Sequence, residues 1–369
     1  MLLEAVDNNP IGSRVPLILV HGNDNENKPE TKYDWNYYIQ RYQDSKDSKY
    51  KLYLYKWEST KSSYINGLRL GASIEAEEEL FDTRVVILAH SRGGLVSRHF
   101  MNNYIGTKGV FAGQKGGERV NALITLATPH QGSPGADPIW ALFSFNNLNQ
   151  QNIINDSFEY VLTHKYLSLF DINSYQYLQW DDVDKEVTDD IVCFSPWYYN
   201  DGEICSVLMH TMDGFQELAK LNETESYKNK IIAYGGSSTG NITNELLYFI
   251  LLGGVPTNDH DWLSIGSLLM ATMPVIPNGY PDTKINNYRF FANDGMVPLS
   301  SALFLKEGSG NLFQLLAENI IYDIQLFDNK CQLQECNLIN NRYTDHKHFL
   351  DDVEIIDMVI NRLQDIAIY

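Results

Sequence analysis

The chain has 369 residues, 44% of them hydrophobic and 20% charged, with a formal net charge of −19 at pH 7. That apolar share supports a large core and excludes a globally disordered chain. The negative charge excludes nucleic acid as a partner and disfavours binding to anionic membrane surfaces. No apolar run approaches the roughly 18 residues of a membrane span; the nearest, 246–255, is short and holds two glycines.

At about 150 residues per domain, the length fits two to three domains or one large α/β domain with insertions. No internal repeat or low-complexity tract is present. VPLILV at 15–20 is nearly continuous in apolar residues, as a strand covered on both faces requires. A tyrosine-rich β segment follows at 52–57, then a helix over 64–80. RVVILA at 84–89 predicts a third buried strand, 94–105 a helix, and VNALITLA at 120–127 a fourth strand stopped by Thr128 and Pro129. Strands alternating with helices predict an α/β fold with a mostly parallel sheet covered on both faces.

Residues 135–227 break this pattern. They are rich in Asn, Gln, Asp, Tyr and Trp and read as an inserted cap over the carboxyl edge of the sheet. The core then falls into a first part, 1–134, and a second part, 228–369. The second part predicts a strand at 230–234, an apolar helical excursion at about 243–275 and a strand at 288–291. It ends in an amphipathic helix over 353–368, with Ile356, Val359, Ile360, Leu363 and Ile366 on one stripe.

The chemistry concentrates at Ala89-His90-Ser91-Arg92-Gly93-Gly94, where a buried strand gives way to a helix. A turn this sharp needs small residues two before and two after the serine, here Ala89 and Gly93, and it lifts the hydroxyl clear of the sheet. Serine needs a base and an orienting acid to become a nucleophile. Asp294, in Asn293-Asp294-Gly295, is the candidate acid, with an ordinary Asp-Gly turn as the bland alternative. The base comes from Asp345-His346-Lys347-His348, with His346 favoured and His348 the alternative. Two N–H donors would hold the oxyanion. The backbone of Arg92, just after the serine, is one candidate, and Asn23, after Val20-His21-Gly22, is the other.

LVHG at 19–22, AHSRGG at 89–94, TLATPHQGSP at 125–134, NDGMVPLSSA at 293–302 and DHKHFL at 345–350 together resemble the bacterial lipase/esterase branch of the α/β-hydrolases. The resemblance covers roughly 12–134 and 228–369. It implies an α/β-hydrolase fold with Ser91 as nucleophile, Asp294 as acid, His346 as base, and the N–H groups of Asn23 and Arg92 as oxyanion donors. Arg92, in a slot that such lipases often fill with Met, Leu or Gln, is expected to carry its charge near the mouth of the site. No cofactor is required. Such lipases often hold a structural calcium, but no ligand set for it matches here residue by residue.

Other polar residues receive plainer readings. His21 and His130 are expected to be structural hydrogen bonders. Asp259-His260-Asp261 is expected to be a solvated turn, with metal ligation as the alternative, and the acidic run 181–190 a solvated surface segment. His99, His164 and His210 have no partner visible in sequence. Cys193, Cys205, Cys331 and Cys336 form two local couples. Two short-loop disulfides would suit a secreted, extracellular protein, and four thiols a cytoplasmic one. No signal peptide is visible at the start of the chain.

The expected activity is hydrolysis of carboxylic esters of lipophilic acids, as a lipase or carboxylesterase. The partner is then a small-molecule or lipid ester, met at most through transient contact with a lipid interface. A phospholipid or glycolipid deacylase or a thioesterase would use the same residues. A catalytically silent binding module is the alternative from another class.

Overall fold

The computed structural model describes residues 3–22, 31–45, 49–57, 62–133, 213–238, 260, 263–264, 266–267, 292–304, 331–339 and 343–367. Its strands are β1 (Leu3–Ala5), β2 (Val15–Val20), β3 (Tyr50–Tyr55), β4 (Val85–His90), β5 (Val120–Leu126), β6 (Ile231–Gly235) and β7 (Glu335–Leu338). They form one seven-stranded sheet in the order β1-β3-β2-β4-β5-β6-β7. Every neighbouring pair is parallel except the edge pair of β1 with β3. The helices among the described residues are α1 (Thr31–Asp44), α2 (Ser63–Ala76), α3 (Gly93–Asn103), α4 (Asp213–Thr224), the short α5 (Leu299–Ala302) and α6 (His348–Asp351), and α7 (Val353–Asp365).

The continuous apolar runs are explained by the sheet having a core on each face. Successive strand residues point to opposite faces. Leu17 and Leu19 of β2, with Val86 and Leu88 of β4, join Trp35 and Tyr38 of α1 and Ile356, Val359, Ile360 and Leu363 of α7 in one cluster. Ile18 and Val20, with Val85 and Ile87, join Leu70 and Ile74 of α2 and Val96 and Phe100 of α3 in the other. A polar residue at either parity of β2 or β4 would therefore lie in an apolar layer. The stripe expected on the last helix is the buried face of α7, whose first turn is capped by the Asp352 carboxylate accepting from the N–H groups of Glu354 and Ile355.

The predicted strands and helices of the first third stand within a few residues of their expected ends. β1, α1 and β7 carried no sequence expectation. The predicted strand at 288–291 lies outside the described residues, as do 135–212 of the stretch read as a cap. Its remainder, 213–227, contains α4, which buries Leu218 and Leu221, while Asn222 and Glu225 bond to Arg98 of α3.

Chain order reverses direction between β2 and β4: the chain goes from β2 to one side, to β3, and then returns to the other. A crevice forms outside the carboxyl ends of parallel strands at such a point, and ligands of open α/β sheets bind there. Both strands lead directly into singled-out segments, β2 into His21-Gly22 and β4, through its last residue His90, into Ser91.

Candidate active site

Ser91 follows directly on β4 and precedes α3. Its φ is +53°, a left-handed conformation that costs a residue with a Cβ about 1–2 kcal/mol. Close packing enforces it. A Cβ on Gly93 would sit 2.3 Å from the carbonyl oxygen of His21 and 2.5 Å from that of Val20. One on Gly22 would come 2.9 Å from the Cβ of Ser91. The end of β2 is thus pressed against the serine turn, and only glycine fits at either contact. The Ser91 N–H donates to the Leu126 carbonyl at 2.8 Å, tying the turn to the end of β5.

Asp294 and His346 are brought into direct contact, His346 Nδ1 lying 2.8 Å from Asp294 Oδ2. Asp294 is 1% exposed. Its other oxygen, Oδ1, accepts from the N–H groups of Met296 at 2.9 Å and Val297 at 2.7 Å, and its carbonyl accepts from the His346 N–H at 2.9 Å. These donors fix the orientation of the carboxylate toward His346. Since the carboxylate only accepts, Nδ1 of His346 carries the ring proton and Nε2 keeps its lone pair.

The histidine–acid pair meets the serine turn through His90, a residue that the sequence reading did not single out. The rings of His90 and His346 are 4.7 Å apart, and His90 Nε2 lies 3.1 Å from the His346 carbonyl oxygen. The carbonyl only accepts, so Nε2 of His90 donates. Burial, and secondarily the neighbouring His346, push the His90 pKa well below that of free imidazole, so the ring is neutral. Its position one residue before Ser91 was the only available signal, and strand residues usually serve packing.

The other sequence candidates divide. His348 does not face Asp294; it pairs with Asp345 at 2.9 Å and lies beside His260. Asn23 lies outside the described residues. The Arg92 side chain corrects the expectation of a charge at the site mouth. It is fully buried, its Nε donates to Ser63 Oγ at 3.1 Å, and its guanidinium lies 5.2 Å from the Trp57 ring centroid. A buried cation is tolerable there because the aromatic face and the hydroxyl replace water.

His21 and His130 have the structural contacts expected of them. His21 Nδ1 donates to the Gly22 carbonyl at 2.7 Å, its ring stacks on Trp57 at 5.0 Å, and burial brings its pKa down to about 4. His130 accepts at Nδ1 from Arg98 at 3.4 Å and meets Thr125 Oγ1 at 3.0 Å. His99 has a partner that sequence did not show, Asn103 at 3.0 Å. The solvated turn expected at 259–261 does not describe His260, which pairs with Asp345 at 2.7 Å and Asp351 at 3.3 Å. Those carboxylates raise His260 to about 10. Burial alone would raise the Asp345 carboxyl, but hydrogen bonds from His260 and His348 outweigh it and hold it at about 2. Cys331 and Cys336 form a disulfide; Cys193 and Cys205 lie outside the described residues, as do His164, His210 and 181–190. No helix among the described residues is long and apolar enough to cross a membrane.

Comparison with known proteins agrees with this topology. A family model described as a PGAP1-like alpha/beta domain matches residues 51–172, a third of the chain that includes β3, β4, the serine turn and β5. The fold, a mostly parallel seven-stranded sheet with helices on both faces, is that of an α/β-hydrolase. Among solved structures, the mature lipase BlEst2 of Bacillus licheniformis is similar at 14% identity and a TM-score of 0.49, over 98% of this chain and 97% of that one. Lipase 1 of Pelosinus fermentans is similar at 16% identity and a TM-score of 0.49, over 96% of this chain and 100% of that one. EstA of Clostridium botulinum is similar at 16% identity and a TM-score of 0.48, over 97% of this chain and 88% of that one. Likeness at this level assigns neither substrate nor residue roles. No curated protein matches the sequence. The roles of residues in this hydrolase fold therefore rest on the geometry of the site.

Proposed function

We propose that the protein is a serine hydrolase that cleaves carboxylic esters of lipophilic acids, with Ser91 as nucleophile, His346 as general base and Asp294 as the acid that orients it. The observation that carries this reading is the 2.8 Å bond from His346 Nδ1 to a buried Asp294, next to a serine held in a left-handed turn. That bond leaves Nε2 of His346 as the proton acceptor, the tautomer the reaction needs. Ser91 attacks the ester carbonyl as its proton passes to His346. Asp294 stabilises the imidazolium so formed. The backbone N–H groups of Arg92 and Asn23 receive the developing oxyanion. His346 then protonates the leaving alcohol, and water repeats the cycle on the acyl-enzyme to release the acid.

The reading requires no cofactor. Its lipophilic preference is supported by the apolar run at 246–255 and by the lipase-like motifs. A setting outside the cell is supported by the Cys331–Cys336 disulfide, since such bonds persist in oxidising compartments. The test is hydrolysis of nitrophenyl esters from short to long acyl chains, with a thioester and a diacyl phospholipid alongside, by wild type and Ser91→Ala. Turnover rising with acyl length in simple esters, and falling by about 10⁴ or more in Ser91→Ala, is the expected result. Undiminished turnover in the variant would overturn it, and so would the absence of fluorophosphonate labelling at Ser91 in wild type.

A further inference from the structure

Behind the loop that carries His346 lies a group of ligating side chains that ester hydrolysis does not use. His260, Asp345 and His348 each offer a ligand atom, and these atoms all lie within 4.8 Å of one another. His260 Nδ1 is 2.7 Å from Asp345 Oδ2, His348 Nδ1 is 2.9 Å from Asp345 Oδ1, and the two imidazole centroids are 4.5 Å apart. Two imidazoles converging on one carboxylate form a nitrogen–oxygen donor set suited to zinc and similar divalent cations. Calcium takes six to eight oxygens, so this set does not fit the calcium that the lipase resemblance implies.

We propose that His260, Asp345 and His348 bind a divalent cation of the zinc class. Metal–ligand bonds of about 2.0–2.2 Å put tetrahedral ligands roughly 3.4 Å apart. The contacts of 2.7 Å and 2.9 Å to Asp345 must open by about half an ångström, and the widest pair, at most 4.8 Å apart, must close by up to about 1.4 Å, shifts within the reach of side-chain rotation. Asp351 Oδ2 lies 3.3 Å from His260 Nε2. With Nδ1 on the metal, Nε2 donates to Asp351, an arrangement that fixes the ring and makes the ligand more basic. The imidazoles are partly open, with side-chain exposures of 37% for His260 and 27% for His348, so a water can take the fourth position.

The cation would join segments far apart in the chain. Asp345 immediately precedes His346, and His348 opens α6. On the other side, the His260 segment grips the loop carrying Asp294. The Leu263 carbonyl lies where a Cβ on Gly295 would sit 2.2 Å away, and Asn293 Nδ2 donates to the Ser267 carbonyl at 3.1 Å. The role is therefore positional, a tie behind the histidine–acid pair, and the site stands whether or not Ser91 is a nucleophile.

The test is zinc binding by the full-length protein after chelator treatment and dialysis, with metal content read by mass spectrometry and affinity by competition with a chromophoric chelator. One zinc per chain, a Kd of about a micromolar or tighter, and a melting temperature raised by several degrees are expected. The double variant His260→Ala/His348→Ala should lose at least about a hundredfold in affinity, and Asp351→Asn about tenfold. Ser91→Ala should bind as wild type does, which separates this site from the ester reading. If the double variant fails to fold, His348→Gln, which keeps a polar side chain of similar reach, carries the same expectation in direction. Absence of stoichiometric zinc in wild type would overturn the proposal. So would unchanged affinity in the folded histidine variants, or stabilisation by calcium that these variants abolish.

Discussion

Ser91 is placed by backbone geometry, whereas Asp294 and His346 are placed by side-chain hydrogen bonds. On the serine side, glycines at 22 and 93 let two chain segments close to contact distance, and the turn carries a positive φ. On the other side, Asp294 accepts two backbone N–H bonds and one imidazole bond, each of which ends on a polar side-chain atom. Steric placement stores strain and is sensitive to volume. Polar placement is sensitive to charge and proton position. The two halves should therefore fail in different ways.

The largest expected effect falls on the polar half. His346→Ala should lower ester kcat by up to about 10⁶, as members of such a triad act as a unit, while His348→Ala should retain turnover within about tenfold. Nitrophenyl ester assays on both variants separate the two histidines, and equal losses would break the distinction drawn here. Asp294→Asn should leave the fold intact by circular dichroism and reduce kcat by about 10⁴, because the amide no longer fixes the proton on Nδ1.

Acid should act first on the steric half. His21 is buried without a carboxylate partner, and its folded pKa of about 4 lies below the ordinary 6.5. Its contribution is fully present above pH 6.5 and is lost as pH falls toward 4, an effect of ~3 kcal/mol by linkage. Burial depresses His90 and His99 in the same direction. Denaturant midpoints should fall between pH 7 and pH 4.5, and His21→Gln should flatten that slope. The smallest effects are a pair of opposite sign at the turn itself. Gly93→Ala should cost about 2 kcal/mol through its clash with two carbonyl oxygens. Ser91→Gly should gain about 1 kcal/mol by relieving the left-handed conformation, with no turnover. Thermal denaturation reads both.

The same contrast explains what was legible in the sequence. Steric demands leave local marks: Ala89 and Gly93 flank Ser91 within five residues, and continuous apolar runs announced β2, β4 and β5. Polar networks are written across the chain. The bond between Asp294 and His346 spans 52 residues, and only their order and their flanking Gly, Pro and aromatic residues hinted at it. His260 reaches Asp345 across 85 residues, so it read as a surface turn. Arg92 was misplaced for the same reason, since Ser63 lies 29 residues away. α1 and β7 were missed because polar and aromatic residues dilute their periodicity, and β1 because it is a three-residue edge strand.

Arg98 has a consequence for the evolution of the scaffold. Its guanidinium bonds the His130 carbonyl at 3.2 Å and Asn222 Oδ1 at 2.6 Å, and Asn222 Nδ2 donates to the same carbonyl at 3.0 Å. Among the described residues, the segment after β5 and the helix before β6 are thus pinned to each other and to α3. Once two segments are pinned in this way, doubling the length of the chain between them adds only about 0.6 kcal/mol of closure entropy. Insertions of very different length are therefore compatible with the same hydrophobic layers between these two pinned segments.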